Sequence, residues 1–184
     1  MVYVFFAQGF EELEGLSPVD VLRRAGIAVT TVGVGGREIT GSHGVTITCD
    51  KIDSQVQPEE MEMVVLPGGM PGTTNLEASP VVMSFLDYAL AQKKWIAAIC
   101  AAPSILGHRG ILDGREAICF PGFEPALEKA VLSSKSVCVD LSHGFGVVTA
   151  KGAGVALEFA LTLVACLKGK DAALALRKAM QCSE

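Results

Sequence analysis

The sequence predicts an α/β fold in which a mostly parallel sheet is covered by helices on both faces. Two observations lead to this prediction. Several short runs of β-branched residues are apolar throughout, which is typical of strands buried on both faces in a parallel sheet. These runs alternate with segments of helical periodicity, which is the order of a doubly wound sandwich. The chain has 184 residues, a length that favours one domain, so we expect a single domain over residues 1–184.

The predicted strands are apolar or β-branched runs bounded by turn residues. In chain order they lie at residues 2–7, 27–34, 63–66, 95–100, 117–120, 136–140 and 146–150. A hairpin or extended ribbon is predicted over 37–48, because two short strand-like segments flank the turn sequence GSHG.

The predicted helices are marked by capping residues and by apolar residues at helical spacing. In chain order they lie at residues 17–26, 80–92, 152–169 and roughly 171–181, with shorter ones after Pro103 and near 124–131. In the first, Ser17 is the expected N-cap, Pro18 the first helical residue and Gly26 the residue past the end. Gly169 is the expected stop of the long helix.

Composition excludes several classes of function. The net charge is −5, without a basic block, so nucleic acid is not an expected ligand, since phosphate binding needs clustered lysine and arginine. No apolar run approaches the roughly 20 residues that cross a bilayer, so no membrane partner is expected. The N-terminal apolar run is short and lacks a basic start. It therefore predicts a strand rather than a signal peptide, and we expect a cytoplasmic location.

The six cysteines are scattered, at positions 49, 100, 119, 138, 166 and 182, with no CxxC pair. This spacing predicts reduced, mostly buried thiols rather than disulfides or a structural zinc site. LPGGMPG at 66–72 lacks the GxxxxGK-S/T pattern of phosphate loops, and KGAGVAL at 151–157 lacks the full GxGxxG. We therefore expect neither a metal nor a cofactor.

Cys100 is the first candidate for chemistry. It ends a buried strand and precedes Ala101, Ala102 and Pro103, so it is expected at a sharp turn from strand to helix, where sites form in α/β sheets. Amides of the following helix favour a thiolate there, with a pKa below the usual value of about 8.5. The alternative is an inert buried cysteine, the commoner fate of a free thiol.

Two further strand ends carry candidate partners for this thiol. The backbone N–H groups of Gly69 and Ala101 could form an oxyanion pocket, although a Gly-Gly pair is also typical of an ordinary turn. Glu11, Glu12 and Glu14 follow the first strand. Either they are solvated loop residues, or one of them lies beside the cysteine with a raised pKa and donates a hydrogen bond to its sulfur.

The three histidines, His43, His108 and His143, fall in predicted turns or loops. His43 in GSHG is the best placed for function, because a ribbon can reach across to a site or to a second subunit.

Five motifs, in this order, resemble the ThiJ/PfpI superfamily and, within it, the group of the Parkinson-disease-associated deglycase. They are EELEGLSPVDVLRRAGI at 11–27, GSHGVTI at 41–47, VVLPGGMPG at 64–72, AAICAAPSIL at 97–106 and GAGVALEFAL at 152–161. The resemblance covers about residues 3–170. It implies a flavodoxin-like sandwich of the class I glutamine amidotransferase-like type, usually assembled as a homodimer.

The resemblance also implies roles for individual residues. Cys100 is the nucleophile, at the sharp turn known as a nucleophile elbow, and Glu14 is its protonated partner. Gly69 and Ala101 match the backbone donors, and Arg24 matches an arginine at the edge of the site.

Two more positions at the edge of the site vary among members of this superfamily. His43 stands where close relatives have either histidine or arginine, near the neighbouring subunit. Phe120 stands where some members place a histidine beside the cysteine. A phenyl ring cannot take or give a proton, so a Cys–His pair of the protease type is not expected here.

Three functions are consistent with these residues. The first is a cofactor-independent glyoxalase III or deglycase, which acts through Cys100 on a small aldehyde or glycated substrate, such as methylglyoxal, in stress protection. The second is a redox-sensing or chaperone-like stress protein in which Cys100 is oxidised to a sulfinic acid that Glu14 stabilises. The third is a cysteine peptidase or amidase, against which the missing histidine counts.

Overall fold

Eleven strands and six helices are formed in the computed structural model, which describes residues 1–182. In chain order the strands are β1 (Val2–Phe6), β2 (Val29–Gly33), β3 (Glu38–Thr40), β4 (Thr46–Thr48), β5 (Lys51–Ile52), β6 (Met63–Leu66), β7 (Trp95–Ile99), β8 (Glu116–Ala117), β9 (Val131–Leu132), β10 (Val137–Asp140) and β11 (Val147–Ala150). The α-helices are α1 (Glu12–Arg24), α2 (Gly72–Glu77), α3 (Pro80–Ala91), α4 (Pro103–His108), α5 (Ala156–Lys168) and α6 (Lys170–Ala179). Single 3₁₀ turns lie at Asp53–Gln55, Glu124–Leu127 and Ala153–Val155.

Seven of the strands form the central sheet, in the order β10-β11-β7-β6-β1-β2-β5. All neighbouring pairs are parallel except β10 with β11. From β1 the chain continues to β2 on one side and later returns to β6 on the other, so the winding direction reverses between β1 and β6. In open α/β sheets, ligands bind beyond the carboxyl ends of the strands at such a point. This topology confirms the predicted doubly wound, flavodoxin-like α/β fold.

The two faces of the sheet are covered by different helices. Along β1, Val2, Val4 and Phe6 pack on one side with residues of α1 and α5, whereas Tyr3 and Phe5 pack on the other side with residues of α2, α3 and α4. This alternation follows from the two-residue period of a strand. Because both faces are covered, the strand is apolar at every position, which is the pattern that predicted the fold.

The first helix begins earlier than predicted. Its N-cap is Glu11, whose carboxylate accepts a hydrogen bond from the Glu14 N–H, so the helix starts at Glu12 rather than after Ser17. Pro18 lies inside the helix; it removes one backbone donor but does not end the helix, because Leu22 and its neighbours on one face are buried in the core. The correction matters because it places Glu14 on a helix and not on a loop.

The region 117–131 also differs from prediction. The predicted strand 117–120 is reduced to β8, and the predicted helix near 124–131 is a single 3₁₀ turn. The reason is backbone pairing, because the N–H of Val131 donates to the carbonyl of Arg115, and the N–H of Ser133 donates to that of Ala117. These bonds pair Val131 and Leu132 with β8 in a parallel ladder, so the end of the predicted helix is a strand.

Other elements agree with the prediction or add to it. The ribbon at 37–48 is an antiparallel hairpin of β3 and β4, and α5 ends at Gly169, which has φ +89°. The short helix α2, directly after the glycine loop at 66–72, was not predicted. None of the helices within residues 1–182 is long and apolar enough to cross a membrane.

Candidate active site

Cys100 lies directly after β7 in a strained backbone conformation. Its φ is +66°, in the left-handed region that non-glycine residues avoid and that costs about 1–3 kcal/mol. Two hydrogen bonds hold this conformation: the Cys100 N–H donates to the carbonyl of Ala150 (2.8 Å), and the N–H of Phe120 donates to the carbonyl of Cys100 (2.8 Å). Observed strain of this kind points to a functional position, and here it fixes the partly buried thiol at the end of a central strand.

Two backbone amides face the sulfur of this cysteine. The N–H groups of Gly69 and Ala101 hydrogen-bond to it and act to lower its pKa. Gly69 has φ +89°, and a Cβ at this position would overlap the backbone nitrogen of Glu11. Only glycine therefore allows the loop after β6 to pack against the start of α1 and still present its amide to the sulfur.

Glu14, on the first turn of α1, has no solvent-exposed surface. Its Oε2 accepts a hydrogen bond from the N–H of Gly68 at 2.9 Å. Its Oε1 is buried and makes no geometrically defined hydrogen bond within residues 1–182. The Cys100 thiol lies close enough to change the pKa of this carboxyl. The carboxyl is thus close enough to exchange a proton with the sulfur.

Gly68 is a residue of the site that the sequence analysis did not single out. A Cβ at this position would lie 2.6 Å from Oε2 of Glu14 and 2.7 Å from Cβ of Cys100, closer than carbon atoms approach in proteins. Gly68 therefore lies between the two side chains, and the absence of a side chain there lets the carboxyl approach the thiol. The double glycine after a buried strand is the sequence signal for this position, although it predicts only the Gly69 amide and not the role of Gly68.

Burial raises the pKa of both members of this pair, so the carboxyl ionises before the sulfur as pH rises. Burial raises the pKa of Glu14 to about 7, and the nearby Glu11 adds to the shift. Burial and the Glu14 carboxylate raise the pKa of Cys100 to about 12, against the two amides that lower it. The expected resting thiolate is therefore wrong, because removal from water outweighs the amide dipoles. A carboxylate of pKa about 7 is instead well matched to accept the thiol proton near neutral pH.

The neighbouring acids have separate structural roles. Glu11 caps α1 through Glu14 N–H (2.9 Å), and its own N–H donates to the carbonyl of Gly68 (2.9 Å). Glu12 is buried and reaches the hairpin turn, where it accepts bonds from the His43 N–H (2.7 Å) and pairs with His43 Nδ1 (2.8 Å). Of the three carboxylates, Glu12 and Glu14 are thus not solvated loop residues. Together they join α1 to the hairpin and to the β6 loop.

His43 is paired with Glu12 and is itself largely exposed. Burial alone would raise the pKa of Glu12, but the hydrogen bonds from His43 lower it to about 2. The same pairing raises the pKa of His43. The ligand atoms of Glu11, Glu12 and His43 lie within 4.8 Å of one another, so these three residues could hold a metal ion. Both oxygens of Glu12 already accept hydrogen bonds, however, and we interpret the group as the attachment of the hairpin.

The remaining candidates are distributed around the molecule. Phe120 lies beside the elbow through its bond to Cys100. Arg24 is at the opposite end of α1, about 15 Å along the helix from Glu14, where it pairs with Asp20. Within this chain the structure does not bring Arg24 to the cysteine. His108 pairs with Glu77 at 2.6 Å.

Within residues 1–182, none of the three histidines forms a hydrogen bond with Cys100. The cysteines at 49, 119 and 138 are buried, and all six are free thiols.

Comparison with known proteins agrees with this arrangement. A model of the DJ-1/PfpI family matches residues 1–166. The chain is 38% identical over 172 residues to the Parkinson disease protein 7 homolog of Danio rerio, covering 92% of this chain and 90% of that protein. It is 29% identical over 176 residues to the glutathione-independent glyoxalase DJR-1.2 of Caenorhabditis elegans, covering 91% and 88%. Among solved structures, Toxoplasma gondii DJ-1 in an oxidized form superimposes with a TM-score of 0.91 at 33% identity, over 100% of this chain and 98% of that one.

Proposed function

Since the chain belongs to the DJ-1/PfpI family, we propose that it converts small α-oxoaldehydes such as methylglyoxal to hydroxy acids such as lactate. The reaction is of the glyoxalase III or deglycase type and uses Cys100 as nucleophile, with no metal or cofactor, to protect the cytoplasm from reactive aldehydes. One observation carries the proposal: a buried carboxyl of pKa about 7 lies beside a thiol held in a strained turn. The glyoxalase name of the relative from Caenorhabditis elegans supports it, as do six free thiols, which suit a reducing compartment.

The first step is addition of the thiol to the aldehyde. The Glu14 carboxylate takes the thiol proton, and the sulfur forms a bond to the aldehyde carbon while the carbonyl electron pair moves to oxygen. In this proposal the amides of Gly69 and Ala101, which face the sulfur, stabilise the negative oxygen. Glu14 then returns the proton to that oxygen, which gives a neutral hemithioacetal and restores the carboxylate.

The second step moves hydrogen within the substrate. Glu14 removes the proton from the hemithioacetal carbon, and the keto oxygen gains one, giving an enediol. Protonation of the second carbon and loss of the first hydroxyl proton give a lactoyl thioester. Water then breaks the C–S bond, so that lactate leaves and Cys100 regains its proton. Oxidation of one carbon balances reduction of its neighbour, and no external redox partner is required.

The test of this function is formation of lactate from methylglyoxal by the purified protein. The matched control is free cysteine at the same thiol concentration, which forms the hemithioacetal but lacks the carboxyl and the amides. We expect lactate to form at least about 100-fold faster with the protein, since a positioned acid–base group alone contributes about 10²–10⁴-fold. A rate equal to that of free cysteine contradicts the proposal.

A second candidate function is redox sensing. The same geometry that assists addition would stabilise a sulfinic acid on Cys100, because protonated Glu14 can donate a hydrogen bond to it. The solved structure of Toxoplasma gondii DJ-1 with which the chain superimposes is an oxidized form. After mild peroxide, this function predicts a two-oxygen adduct on Cys100 before the other five cysteines react, as measured by peptide mass spectrometry. Oxidation spread evenly over the six cysteines would exclude it.

We also infer that the protein is a homodimer. Leu13 and Leu16 on α1 and Val45 in the hairpin are exposed apolar side chains, and Glu12 joins these two elements. A second copy of the chain would cover them. For the wild-type protein, light scattering is expected to give twice the chain mass of 19.2 kDa. The double variant Leu13→Glu, Val45→Glu is expected to have the mass of a single chain. A monomeric wild-type protein contradicts this inference.

A further inference from the structure

Two large apolar side chains are exposed on segments whose backbone contacts Cys100, and the proposed reaction does not use them. Met70 is 52% exposed and Phe120 is 47% exposed. Single exposed apolar residues are ordinary, so it is their position that matters. Met70 directly follows Gly69, whose amide faces the sulfur, and the Phe120 N–H donates to the carbonyl of Cys100. Both residues therefore belong to segments whose backbone contacts Cys100.

The ring of Phe120 has a defined resting place. A Cβ at Gly152 would lie 3.2 Å from Cδ2 of Phe120, so the ring lies against the chain that follows β11. The Phe120 carbonyl accepts the N–H of Phe123 at 3.1 Å, which closes a turn beneath it. A ring held in this way offers a flat apolar surface, since its backbone is fixed on both sides.

A large cavity opens beyond Met70. Its volume is about 870 Å³, and its walls are α2, α4 and the segment 122–130. Met70, Phe123 and Leu127 contribute apolar groups to these walls, whereas Glu77, Arg109 and Asp113 contribute charged ones. The wall residue Ser104 donates to the carbonyl of Ala101 at 2.7 Å, which connects this wall to a residue whose amide faces the sulfur. This volume lies in the range that holds drug-sized ligands and greatly exceeds the needs of a three-carbon aldehyde.

One buried hydroxyl in the wall of this cavity lacks a partner. Thr73 is only 3% exposed, and its Oγ1 makes no hydrogen bond within residues 1–182. Its N–H donates to the carbonyl of Gly69 at 2.8 Å, so it lies one helical turn from the oxyanion donor. Buried hydroxyls are nearly always hydrogen-bonded in native proteins. The cavity therefore offers a hydrogen bond to a polar group at the far end of a longer substrate, beyond an apolar substituent.

We infer that the preferred substrates of the Cys100 site carry a flat apolar substituent, such as an aryl group, and that Met70 and Phe120 determine this specificity. The reacting carbonyl lies at the sulfur, while the substituent packs between the two side chains toward the cavity lined by Thr73. This inference rests on the proposed function for turnover, but not for access of a molecule to the thiol.

Turnover tests the preference directly. The specificity ratio is kcat/KM for phenylglyoxal divided by kcat/KM for methylglyoxal. We expect it to exceed 10 in the wild-type protein, and to fall about 2- to 10-fold in Met70→Ala and in Phe120→Ala, as for loss of one aromatic contact. The fall arises through KM for phenylglyoxal. Leu141→Ala is the matched control, because Leu141 is 62% exposed and follows β10 near the start of β7, at the opposite end of the strands from Cys100.

A ratio near 1 in the wild-type protein, or a ratio that neither variant changes, overturns the inference. Circular dichroism of each variant establishes that it is folded.

Alkylation separates this inference from the proposed function. In 2-bromoacetophenone and bromoacetone the thiol sulfur displaces bromide from the same kind of α-carbon, and the thiol proton is lost to water. The two reagents differ in phenyl against methyl. The rate ratio is the alkylation rate with 2-bromoacetophenone divided by the rate with bromoacetone. We expect this ratio to be about 10-fold higher for Cys100 than for free cysteine, and the double variant Met70→Ala, Phe120→Ala to remove the excess. If no aldehyde is turned over but this excess is found, the proposed function fails and the inference stands. If the ratio equals that of free cysteine, the inference fails even when lactate forms.

Discussion

Replacing Cys100 by serine is expected to abolish lactate formation, with a fall in kcat of at least about 10³-fold, as for loss of other essential nucleophiles. Serine keeps the size of the side chain and its backbone bonds to Ala150 and Phe120, so the fold should be retained. The physical reason is acidity. Glu14, with a pKa of about 7, can share a proton with a thiol, but a hydroxyl holds its proton much more strongly.

The matched control is Cys166→Ser. Cys166 is also a partly buried free thiol, and burial raises its pKa to about 11, but it lies on α5 away from the elbow. It should retain wild-type activity, measured as lactate released from methylglyoxal. A Cys100→Ser protein that keeps more than about a tenth of the activity contradicts the nucleophile assignment, and the chemistry must then lie elsewhere.

Replacing Glu14 by glutamine is expected to lower kcat/KM by about 10²–10⁴-fold, the usual contribution of a general base. In the wild-type protein the carboxylate is the active form, so kcat/KM should rise with pH and level off above about 7. The glutamine variant should lack this rise. Glu158→Gln, an exposed change on α5, is the control that should leave both the rate and its pH profile unchanged.

The same substitution should increase stability at alkaline pH. The folded-state pKa of Glu14 lies above its ordinary value of 4.5, so the stability associated with its neutral form is complete below pH 4.5 and is lost as pH rises through about 7. Glutamine stays neutral. The free energy of unfolding in urea should therefore exceed that of wild type by about 3 kcal/mol at pH 8, with little difference at pH 4.5.

A stability difference that is the same at both pH values, or a rise in kcat/KM that persists in Glu14→Gln, would show that Glu14 is not the titrating base. The comparison between the two proteins cancels the titration of the groups that they share. It therefore isolates one buried carboxyl whose ionised form is unfavourable for folding and necessary for the proposed reaction.

The positions of the elements could be predicted from local sequence because each has a local cause. Apolar strands such as 63–66 and 95–100 reveal burial on both faces, GSHG marks the hairpin, and Gly169 ends a helix. Where prediction failed, a specific hydrogen bond outweighed the local pattern. Val131 and Leu132 pair with β8, so the helix predicted near 124–131 is limited to a 3₁₀ turn, and α1 begins at Glu12 because the side chain of Glu11 caps it.

The sequence by itself determined the α/β fold and singled out Cys100, Gly69 and Ala101, because apolar periodicity and residue type are local properties. Among three neighbouring acids, Glu14 was selected only through the resemblance to the family. Only the tertiary structure decided that burial raises the pKa of both Cys100 and Glu14, that Gly68 separates the two side chains, and that Arg24 is remote. These properties depend on distance and on removal from water, and the residues concerned are 86 positions apart in the chain. A pKa depends on the surroundings that folding creates, and a local stretch of sequence does not specify them.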